Sequence, residues 1–106
     1  MKRTISTRRT AIAAARAYAE EQHATQVREA RDRAVEDTGD RDGAADEAER
    51  DYCRSVARHP GSASDAWVNA GASKLCGVPE RWEPLFLRAL DAEAVRLAEK
   101  ALVGRP

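Results

Sequence analysis

Four side chains of the kinds that ligate zinc or act as nucleophile and base are scattered along the chain: His23, Cys53, His59 and Cys76. Zinc sites take such residues from short paired knuckles, and these spacings form none. Cys53 and His59 lie six apart on a predicted helix and point in different directions, so all four read as buried or boundary residues of a thin core. A Cys with a His elsewhere is no activated nucleophile, there is no Gly-rich loop to cradle phosphate, and the carboxylates fall on faces that periodicity assigns to solvent. The expectation is a protein that is not an enzyme and carries no cofactor.

The sharpest local pattern is the acidic turn Thr38-Gly39-Asp40-Arg41-Asp42-Gly43, followed by Asp46 and Glu49. With oxygen donors at Thr38, Asp40, Asp42, Asp46 and Glu49 and a glycine at the sixth place, the spacing resembles an EF-hand calcium loop between two helices. It departs from that loop at Thr38, where the motif has Asp, and at Ala45, where it has a larger apolar residue. The competing expectation is an acidic turn in which Asp40 or Asp42 caps the following helix. A second segment, Ser73 to Pro79, resembles the turn of a DNA-binding helix-turn-helix. Glu83 and Pro84 then stand where an apolar anchor and an unbroken recognition helix are required, so a glycine cap and a proline turn account for it better.

Two further sets suit binding. Lys2, Arg3, Arg8, Arg9 and Arg16, interleaved with Thr and Ser, offer charge and hydroxyls to phosphates, without an aromatic residue for base stacking. Trp67 and Trp82 bracket the connection between the last two helices, with Arg81 and Arg88 nearby. They read first as core of the C-terminal half, and in the functional alternative as a partner-facing anchor joined by the acidic residues Asp46 and Glu47.

The chain of 106 residues has 18 basic and 18 acidic residues, so its net charge is zero. Length argues for one domain. Hydrophobic residues make up 42% of the chain, but 22 of them are alanine, so the core must be thin and open to completion by a second copy. Charge is segregated: residues 1–16 carry five basic groups and no acid, and residues 17–51 carry five basic and twelve acidic groups. The basic start and Ala17-Tyr18-Ala19 imitate an export signal, yet Arg16 interrupts a short run, so reduced thiols in a cytoplasm are the expectation. No stretch reaches the roughly 18 apolar residues of a membrane span. Fifteen arginines against three lysines suggest a GC-rich coding sequence, hence a bacterial or phage source.

These residues must be placed by helices. Thr10 to Asp37 contains neither Gly nor Pro, and Ile12, Ala15, Ala19, His23, Val27, Ala30 and Ala34 recur at steps of three and four. This predicts one long helix, about 10–37, with a narrow small-residue stripe for another helix or a dimer seam. Gly39 ends it, a second helix runs over about 42–58 on Ala45, Ala48, Tyr52 and Val56, and His59-Pro60-Gly61 stops that one. Ser62 and Asp65, at capping-box spacing, open a third over about 63–75. Pro79 to Glu83 is a single turn before a fourth helix, about 84–103, on Phe86, Leu87, Leu90, Ala94, Leu97 and Ala101.

The sequence thus predicts an all-α fold: a basic flexible arm, residues 1–9, then one helical domain, residues 10–106. In it a long N-terminal hairpin packs on a small C-terminal helical unit around Trp67, Trp82, Phe86, Leu90 and Leu97. The expected function is a protein–protein interaction module, a small adaptor or inhibitor with a protein partner and a tendency to form a homodimer through the alanine stripe. A nucleic-acid-binding accessory protein using the arm is the alternative, and a calcium-binding protein a lesser one.

Overall fold

The computed structural model describes residues 5–71 and 77–103, and within them the protein is all-α, with no strand. Four helices carry the fold: α1, Arg8–Thr38; α2, Gly43–Arg58; α3, Ser62–Asn69; and α4, Glu83–Val103, entered through a 3₁₀ turn at Glu80–Trp82. At about 1.5 Å per residue, the 31 residues of α1 span about 46 Å. That is the long dimension of the molecule, 46 × 25 × 24 Å. Helix α1 packs on both α2 and α4. α4 runs beside α1 in the same sense: Arg81, just before it, reaches the Ser6 carbonyl, and Glu93 lies in the field of Arg16.

The helix ends follow from local chemistry. α1 starts at Arg8, two residues before the expected boundary, because Thr7 and Thr10 form a reciprocal capping box in which each side chain accepts from the other's backbone N–H. It ends, as expected, at Gly39 in the left-handed region, φ 74°. Asp40 caps α2: its carboxylate accepts from the amides of Asp42, Gly43 and Ala44 at 2.9–3.3 Å. Asp40→Ala leaves those amides to solvent and is expected to cost about 1 kcal/mol, read as a lower urea midpoint at unchanged slope.

The third helix differs from its prediction at both ends. The Ser62–Asp65 capping box does not form. Gly61 is the N-cap, and the Ser64 amide instead donates to the Asp91 carboxylate of α4 at 2.8 Å, a tertiary cap joining residues 27 apart. The helix stops at Asn69, not Leu75, since Gly71 turns left-handed at φ 68°. Residues 72–76, with most of the turn likened to a helix-turn-helix, lie outside the described residues, as do Lys2, Arg3 and Cys76.

Two packed clusters make the core. Ala11, Ala15 and Ala19 of α1 meet Trp67 of α3, Phe86 and Leu90 of α4, and Ile5 and Val78 from the flanking segments. Cys53 and Val56 of α2 meet Ala98 of α4, edged by Tyr52, Ala94, Ala101 and Leu102. The buried alanines explain why the stripe turns on Ala11 rather than Ile12: a small residue leaves room for the rings of Trp67 and Phe86, whose centroids lie 5.0 Å apart. Since α4 and α3 cover Ala15 and Ala19, this part of the stripe is not the dimer seam that the sequence offered.

Glu93 is the one buried charged residue among those described, 6% exposed. It stands on the register Phe86, Leu90, Glu93, Leu97 that faces α1. Arg96 holds it with two bonds of 2.7 Å, which pull its carboxyl below the ordinary value.

Candidate functional site

The first turns of α1 set a cationic ledge. The Thr7–Thr10 cap fixes where the helix begins, and Ala11, Ala15 and Ala19 fix its rotation on the core. Arg8, Arg9 and Arg16 are then exposed, and with Ile12 and Ala13 they line an open groove along the flank of α1. None of the three arginines makes a salt bridge among the described residues. The first turn of α1 has no acid, so Arg8 and Arg9 oppose the helix dipole. Thr7 and Thr10, assigned to phosphate contact by the sequence, have their hydroxyls engaged with each other and with the local backbone. The arm is therefore helical from Arg8 onward, and Ile5 packs in the core.

The six residues expected to meet a partner do not form one patch. Trp67 is 1% exposed and belongs to the core, so it offers no anchor to a protein partner. Arg81 stacks over Trp82, 5.1 Å from the ring centroid, and both are tied to the start of the chain. Asp46 lies at the other end of the hairpin, where Arg31 binds it at 2.7 Å and Glu49 at 3.0 Å. About 35 Å of helix axis separates Arg8, two residues beyond the Ser6 that Arg81 reaches, from Arg31. Glu47 and Arg88 are exposed on α2 and α4, respectively.

The calcium ligand set is likewise dispersed. Asp40 faces backbone amides, Thr38 donates its hydroxyl to the Ala34 carbonyl and accepts from the Asp40 amide, and Asp46 and Glu49 face a guanidinium. The Asp40 cap that the sequence offers beside the calcium reading is present, together with an ion-pair bridge from Arg31. Among the described residues no three His, Cys, Asp or Glu side chains are arranged to hold a metal ion. His23 instead pairs with Tyr52, ring centroids 6.0 Å apart.

Burial lowers the His23 pKa below its ordinary 6.5, against a smaller opposing effect of Glu49. The unfolded chain thus holds this proton more tightly. The His23 contribution to stability is present above about pH 6.5 and is lost as pH falls through the lower folded value. Urea midpoints should fall between pH 7 and pH 5, and His23→Gln should flatten that slope. Glu93 acts in a separate window, its contribution lost only as pH falls below the ordinary carboxylate value of 4.5.

Among the described residues, the ledge and the hairpin belong to an all-α arrangement of four helices with opposite charge on different parts of one long helix. Comparison of the chain with protein-family models, curated proteins and solved structures finds no match. No helix among the described residues is long and apolar enough to cross a membrane.

Proposed function

We propose that the protein is a non-enzymatic interaction module, a small cytoplasmic adaptor or inhibitor of bacterial or phage origin, that binds an acidic segment of another protein. The observation that supports it most is the ledge: exposed Arg8, Arg9 and Arg16, without salt bridges among the described residues, around the half-buried Ile12. An apolar centre with a cationic rim matches a peptide that pairs carboxylates with an apolar side chain. Phosphate binding needs the arginines but not Ile12, and the Thr7–Thr10 capping box uses hydroxyls that a phosphate would want.

The two chemistries separate in one variant. Ile12→Ser keeps every positive charge, so it should weaken a protein complex about tenfold, as measured by calorimetry. Affinity for nucleic acid would survive this change and would instead fall steeply with salt, the outcome that transfers the ledge to the alternative.

A further inference from the structure

A cleft of about 480 Å³ opens where α1, α2, α3 and α4 meet, within the size range of small-molecule sites. Its floor is apolar, from Ala19, Val56, Trp67 and Leu90, all buried. Small residues keep it open: Ala19, Ala63, Ala66 and Ala94 come from three helices, and a larger side chain at any of them would fill part of the space.

The lining is unlike the rest of the chain. Charged residues make up 34% of the sequence, yet no Asp, Glu, Lys or Arg among the described residues lines the cleft. Glu20 and Glu21 of α1 and Asp51 and Arg54 of α2 are exposed and stand outside it. Both tyrosines of the chain, Tyr18 and Tyr52, and both glutamines, Gln22 and Gln26, line it. His23 and Trp67 bring the rings to four, in a chain that is 5% Phe, Trp and Tyr. Gln22 and Gln26, one turn apart on α1, offer amide donors and acceptors from one wall, with Ser55 on α2 and Ser62 on α3 adding hydroxyls.

We infer that this cleft is a binding site for a small, uncharged, planar heteroaromatic molecule with hydrogen-bonding edges, of the chemical kind of a purine nucleoside. The half-buried rings of Tyr18, His23 and Tyr52 offer apolar surface above the buried floor, the amides and hydroxyls read the edge of the ligand, and the uncharged lining gives an ionic group no counter-charge. The neutral state of His23, favoured by its burial, keeps the lining uncharged near pH 7. This site is separate from the arginine ledge.

Nuclear magnetic resonance of the ¹⁵N-labelled wild-type protein tests it without any substitution. The chain has one other side-chain carboxamide, Asn69, which does not line the cleft. Adenosine is the probe, with nicotinamide and nicotinate as a pair of one shape differing in charge. The expected result is a saturable shift of the Gln22 and Gln26 NH₂ resonances with adenosine, with Kd on the order of 10⁻⁴ M, while Asn69 stays in place. Nicotinamide should move the same resonances further than nicotinate at equal concentration. Ala66→Phe, at an exposed rim position, should abolish the adenosine shift. The inference is overturned if adenosine at about ten times that Kd leaves both glutamines unmoved. It is equally overturned if nicotinate matches nicotinamide, or if binding persists in folded Ala66→Phe.

Discussion

Trp67→Ala is expected to remove about 3–5 kcal/mol of unfolding free energy, most of what a domain of this size has. The indole is 1% exposed, packed on Phe86 in the cluster that also holds Ala15 and Ala19, so truncation leaves a cavity that a short α3 and a core built on alanines cannot close. Urea unfolding followed by circular dichroism measures it. Trp67→Phe provides the contrast: it keeps a ring beside Phe86 and deletes an indole N–H that is enclosed without an acceptor among the described residues, so it should cost much less than Ala. If Trp67→Ala were tolerated with an unchanged midpoint, α3 would not be part of the folded core.

The second large effect is on binding. Arg8→Glu combined with Arg9→Glu should lower affinity for the acidic partner by at least about 100-fold, because like charges then face each other across the ledge. The same change should raise the thermal midpoint by a few degrees. Acids at the first two positions of α1 favour the helix dipole that the arginines now oppose. Binding and stability moving in opposite directions would mark the two arginines as kept for function. A loss of both would show instead that they hold the helix.

The helices were legible in the sequence because their boundaries are local. Gly39, the Pro60-Gly61 stop and the single turn before Pro84 each act through a backbone dihedral or a missing N–H, and the structure places them as the residues imply. The third helix departs from its predicted bounds because Asp91, 27 residues away, caps its start and because Gly71, inside the predicted span, turns left-handed after Asn69. Hydrophobicity pointed to Ile12, while packing against large rings chose Ala11. Glu93 had a signal, its place on the Phe86, Leu90, Leu97 register, but a carboxylate on an apolar stripe also needs Arg96 to be read with it.

The candidate surfaces were legible only in part. The arginines of the ledge were visible as a basic run, but their shared groove depends on the rotation that the buried alanines impose on α1. The acidic turn had a ligand-like spacing that the hairpin resolves into Asp40 on amides and Asp46 with Glu49 on Arg31. The cleft draws single residues from four helices, and no spacing in one dimension brings Gln22, Tyr52 and Trp67 together.

Affinity purification of the tagged protein from the cells that encode it, with and without nuclease, beside the Arg8→Glu, Arg9→Glu double variant, tests the arginine ledge as a protein-binding surface. A stoichiometric protein partner should survive nuclease and be missing from the variant. Loss of every partner on nuclease treatment, or recovery of the same partner with wild-type and variant protein alike, would contradict it.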